Sequence, residues 1–174
     1  MSQVNTLKEI ALSRAIDGQL NDIVRATGAL AIRLKDTQMG KSQLRNVLNA
    51  AMQTRSIEVV NNFIHYQISR EKGWRSNDFG EKLISALSSG GTVHVAAMAA
   101  AREASDYLKN AVPAQKLSEE EIPSTEMLAQ DAYVRLSRLF LGYLNRWFQF
   151  GQGSNWDRIK SILPDEWNAQ EVAA

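Results

Sequence analysis

"STEMLAQDAYVRLSRLFLGYLNRWFQF", residues 124–150, repeats apolar side chains at steps of three and four: Leu128, Ala132, Tyr133, Leu136, Leu139, Phe140, Tyr143, Leu144, Trp147 and Phe148. That spacing predicts one helix with a broad apolar face, the densest stripe in the chain. A face of this size has to be covered by other helices rather than water. The rest of the 174 residues must supply the cover.

Working back from it, "VPAQKLSEEEIPSTE" at 112–126 contains two prolines and an acidic run and predicts a surface linker. Before that, "VHVAAMAAAREASDYLKNA" at 93–111 is strongly helix-forming, and "SSGG" at 88–91 is a flexible break. Asp78 restarts a short helix through Leu87, whereas "KGWRSNDFG" at 72–80 carries the glycines and polar cluster of a loop. Ser56 predicts the cap of a helix with Glu58 in its first turn and Val59, Val60, Phe63 and Ile64 inward. Ser42 plays the same part for a helix with Leu44, Val47, Leu48 and Ala51 on one side. The stripe from Leu7 to Leu30 fits one long helix weakened at Gly18, or two short ones, and "DTQMGK" at 36–41 breaks the pattern. Downstream, Trp156 to Leu163 forms a last short helix before Pro164. The expected fold is all-α: a single helical domain over 1–174, a small bundle of about five to seven helices, with its linker at 112–126.

Composition narrows the chemistry. There is no cysteine, which removes disulfides, thiolate metal sites and cysteine nucleophiles and suits a reducing, cytoplasmic setting. No secretory leader pattern is seen at the start, and no run of about 18 apolar residues predicts a membrane span. His65 and His94 are the only histidines and fit no metal-ligand spacing. "EEE" at 119–121 reads as a solvated turn, and "GQGSN" at 151–155 lacks the spacing of a phosphate-binding loop. Neither catalysis nor a cofactor is expected; binding is.

Charge shows what kind of binding. The net of +1 conceals nine basic residues against three acidic ones between Arg25 and Arg75, a local excess of +6, and a further +4 over 132–160. Residues 112–131 run to −4. Segregated positive charge suits a polyanion. Within the basic part, Lys41, Arg45, Asn49, Arg55, Arg70, Lys72 and Arg75 form the candidate nucleic-acid-binding set, with Asn46, Tyr66, Gln67 and Trp74 as polar and aromatic neighbours. The structural alternative has Trp74 capping the core and Arg55 or Arg70 paired with Glu58 or Glu71.

Three blocks, "SQLRNVLNAA" (42–51), "YQISREKGWRSNDFGEKLISAL" (66–87) and "RLFLGYLNRWFQFG" (138–151), together resemble the small subunit of type III CRISPR-Cas effector complexes, in particular the Csm type. The resemblance implies a non-catalytic all-helical bundle, stacked in several copies beside other subunits, that touches the backbones of guide RNA and target RNA. Lys41 and Arg45 match the basic start of the first block and Arg70 the arginine of the second. The first forty residues and the 112–126 stretch have no counterpart in that family's pattern. A different expectation is a helical adaptor that grips a protein partner through the aromatic face of residues 133–150, without RNA contact.

Overall fold

The computed structural model describes residues 3–115 and 122–163. Its regular structure is helical throughout, with no strand among the described residues: α1 (Gln3–Ile32), α2 (Lys41–Gln53), α3 (Ile57–Arg70), α4 (Lys72–Arg75), α5 (Phe79–Leu87), α6 (Thr92–Gln115), α7 (Thr125–Phe150) and α8 (Trp156–Ile162). Six of these reach nine residues or more, in keeping with the bundle the sequence predicts.

Helix α7 begins where its sequence says it should, with the Ser124 hydroxyl accepting from the Met127 amide at 3.3 Å. It forms the axis of the fold. Leu128, Ala132, Leu136, Phe140, Leu144 and Phe148 recur every fourth residue and are all buried. Helices α1 and α6 pack on α7 and on each other, and α2 covers a third side. Helix α6 meets its neighbours through Ala97, Ala100, Ala101 and Ala104, all buried, whose short side chains let helix axes approach closely. Helix α1 runs unbroken through Gly18, about 45 Å long at ~1.5 Å per residue.

Around this frame, α3 packs on α2 and α5, and α5 on α6. A wide π turn, Gly151–Asn155, reverses the chain so that α8 returns onto α1, closing a small second core of Ile32, Ile159 and Leu163.

Several local expectations are corrected. The helix at 93–111 extends to Gln115 across Pro113, so 112–115 is helical rather than linker; residues 116–121 lie outside the described residues. A proline this near a helix end removes only one backbone hydrogen bond. The stretch 72–80 is not a loop: α4 and a 3₁₀ turn at Ser76–Asp78 carry Trp74 fully into the core, its ring 5.5 Å from that of Phe79. Asn77 and Asp78 take the left-handed backbone conformation that short polar side chains tolerate. Helix α2 is capped at Gly40 instead of Ser42, because the Gln43 side chain reaches back to accept from the Gly40 amide at 2.9 Å. In α3 the buried residues are Ile57, Val60, Asn61 and Ile64, while Val59 is exposed. By length and composition alone one stretch within Lys72–Ala111 is apolar enough to cross a membrane, but in the fold that span is divided among α4, α5 and α6 by the break at 88–91.

Candidate nucleic-acid interface

Helix α2 has two characters. Leu44, Val47 and Ala51 are buried, facing inward, and Lys41, Arg45, Asn46 and Asn49 are exposed. At 100° per residue, Lys41, Arg45, Leu48 and Met52 (i, i+4, i+7, i+11) fall on one stripe along the flank of the helix. Lys41 and Met52 are therefore about 16 Å apart along the axis. Among the described residues neither Lys41 nor Arg45 has an acidic or hydrogen-bonded partner. Their charge is directed to solvent.

The remaining candidates divide between the two ends of α2. Helix α3 follows α2 after a three-residue turn and packs on it, and the chain just beyond Arg70 returns to the residues before Lys41. Helix α4 then presses against residues 38 and 39: a Cβ on Gly73 would lie 2.8 Å from the Met39 amide nitrogen, so only glycine allows this approach. That contact places exposed Lys72 and Arg75 near the start of α2. Arg33 strengthens the same end, donating to the Asn77 carbonyl at 3.1 Å while Asn77 donates to the Arg33 carbonyl at 2.7 Å. Lys35 sits 3.4 Å from Asp157. Arg70 is held over the Tyr66 ring, 5.2 Å from its centroid, and donates to the Tyr66 hydroxyl, not to Glu71. Trp74 is buried and offers no ring to a ligand.

Arg55 stands apart from the other members of the set, although its side chain is still 68% exposed. It lies at the far end of α2, where it pairs with Asp131 at 2.5 Å rather than with Glu58. Asp131, only 14% exposed, also accepts from Lys8 at 2.9 Å and has Arg135 at 3.9 Å. Burial alone would raise the Asp131 pKa, but the hydrogen bonds from Lys8 and Arg55 overcome it and hold the carboxyl below its ordinary range. Arg135 also binds Glu9 at 2.8 Å, and this hydrogen bond lowers the Glu9 carboxyl and raises the guanidinium. The network joins α1, the α2–α3 turn and α7; its role is structural.

Sequence reasoning left unassigned the arginines of the +4 segment, and three of them, Arg135, Arg138 and Arg146, line a groove between α1, α2 and α7 of about 500 Å³. Arg138 forms part of its wall, donating to the carbonyls of Ala51 at 3.1 Å and Thr54 at 3.0 Å, which closes the C-terminal end of α2. Arg146 lies over the Tyr143 ring, 5.3 Å from the centroid, with no acidic partner among the described residues. Leu48 and Met52 from α2 form the opposite side, so the groove opens onto the stripe that begins at Lys41. The signal was present in the local charge; a groove shared by three helices has no signature in any one of them. Among the described residues no three His, Asp or Glu side chains converge as metal ligands. Tyr133 donates to the Leu87 carbonyl and its hydroxyl pKa is raised, chiefly by burial.

Comparison with protein-family models, with characterised proteins and with solved structures finds no match to this chain.

Proposed function

We propose that the chain is a non-catalytic helical subunit of a ribonucleoprotein, of the type III CRISPR-Cas small-subunit kind, that lays the Lys41–Arg45 face of α2 along an RNA backbone. The observation that carries this reading is the pair of solvent-directed charges at the start of α2, with Lys72 and Arg75 gathered at the same end by the Gly73 contact. Cations without internal partners neutralise phosphates without rearrangement of the protein, and such contacts are indifferent to base sequence. Guide and target RNA paired in an effector complex present that kind of surface. The other subunits of such a complex, and further copies of this chain, are its proposed neighbours.

The adaptor reading finds less support. Phe140 and Phe148 are buried, the Trp147 indole donates to the Val24 carbonyl at 3.1 Å, and Tyr133 is engaged by Leu87, so most of the aromatic face is spent within the bundle and Tyr143 is the ring it leaves at a groove.

The test is RNA binding across a salt series. Each phosphate contact contributes about 0.7–0.9 to the slope of log K against log salt, so Lys41→Glu with Arg45→Glu lowers the slope by about 1.4–1.8. Between 50 and 200 mM salt those two contacts correspond to about a tenfold change in affinity. Unchanged affinity and slope in a double variant with wild-type helicity would refute the proposal.

A further inference from the structure

Gly142 is at the middle of α7, and nothing lies within 4 Å of where its Cβ would be. Glycine is the least favourable helix residue apart from proline, and it is usually retained inside a helix where a neighbour comes too close for a side chain. Here no neighbour does. The protein's own packing leaves this glycine unexplained, and what it does is keep open the floor of the groove between α1, α2 and α7. Beside the opening, Tyr143 presents a ring with Arg146 over it, and Leu139, Leu48 and Met52 supply apolar walls. Met52 is 57% exposed. The charge around the opening is mainly positive: Arg146 has no acidic partner, Arg138 uses Nε and Nη2 on backbone carbonyls, and Asp17 is the acid in the lining.

We infer that this groove receives an unpaired nucleobase of a single RNA strand whose phosphates follow the Lys41–Arg45 stripe. Three features favour that occupant over a purely apolar segment. An aromatic ring with its paired guanidinium is a stacking surface that any base fits. Arginine charge at the rim complements the phosphates on either side of an inserted base. The groove is also continuous with the basic stripe, since Leu48 and Met52 follow Lys41 and Arg45 on the same flank of α2. Its volume, about 500 Å³, is within the range of small-molecule sites. The inference rests on the proposed RNA-backbone reading and adds to it a place for a base: a strand with splayed-out bases binds more tightly than its backbone alone.

The experiment compares two probes of equal length, a labelled oligouridylate and an abasic ribose-phosphate oligomer. Each is titrated against wild type, Gly142→Leu, Tyr143→Leu, and Lys41→Glu with Arg45→Glu. A Cβ at 142 meets nothing within 4 Å and leucine is the better helix former, so the variant folds with unchanged or raised melting temperature, and Tyr143→Leu provides a second variant that removes the ring. The expected result is about tenfold weaker binding of oligouridylate by both groove variants, with the abasic probe bound within about twofold of wild type. If wild type binds both probes equally, or the groove variants bind oligouridylate as wild type does, the base site is overturned. A loss of both probes on Lys41→Glu with Arg45→Glu in that case leaves the backbone reading standing. If that double variant changes neither probe, the backbone reading falls, and the base site with it.

Discussion

Replacing Asp131 by asparagine keeps its shape and removes the charge on which three helical segments converge. Lys8, 22% exposed, loses a charge-assisted hydrogen bond of 2.9 Å, an interaction of about 1.5–3 kcal/mol. Arg55, 68% exposed, is well hydrated without its partner, and its share is about 0–1 kcal/mol. The desolvation that opposes ionisation of Asp131 is relieved in the variant and offsets part of the loss. The net cost is about 2 kcal/mol at pH 7, a fall in Tm of about 4–8 °C for a domain of this size. The pH dependence follows from the direction of the shift. A carboxyl whose folded pKa is depressed contributes fully above its unfolded value, about 3.9, and loses that contribution as pH falls through the folded value. Urea midpoints of wild type and Asp131→Asn thus differ by a constant amount from pH 7 to about pH 5 and draw together below about pH 4. Equal midpoints at pH 7, or a gap that stays constant to pH 3, would refute this account of the network.

The remaining stability predictions concern close packing. Gly73→Ala sets a Cβ against the Met39 backbone at 2.8 Å and destabilises by about 1–3 kcal/mol in chemical denaturation, because residues 38 and 39 must move away from α4. Phe140→Ala, in the middle of α7 and 1% exposed, lowers stability by about 3–5 kcal/mol by calorimetry or denaturant titration.

How far these features can be read in the sequence depends on whether their cause is local. The apolar stripe of α7 and its Ser124 cap are properties of neighbouring residues, and both appear where the pattern puts them. So does the break at 88–91, where Gly90 takes φ 79°. Trp74 illustrates the opposite case. Gly73, Ser76 and Asn77 around it are loop-favouring residues, yet the cavity that it fills is made by other helices and draws its segment into α4. Helix α3 is rotated from its apparent apolar face because buried Asn61 donates to the Ser88 hydroxyl at 3.3 Å, a partner 27 positions away. On α2, helix periodicity alone puts Lys41 and Arg45 off the apolar face, and the structure has both exposed. The pairing of Arg55 with Asp131 and the opening above Gly142 were not legible, since each depends on how α7 lies against residues far from it in the chain.

The central position of α7 also has a consequence for how the protein is made. Helices α1, α2 and α6 rest on an element that follows all of them in the sequence, so during synthesis the faces they turn to α7 emerge uncovered. At about 5–20 residues per second, roughly 6–24 s separate the appearance of Ile32 from that of Phe150. The nascent polypeptide passes through that interval with its hydrophobic surfaces exposed, open to premature association or to shelter by a chaperone.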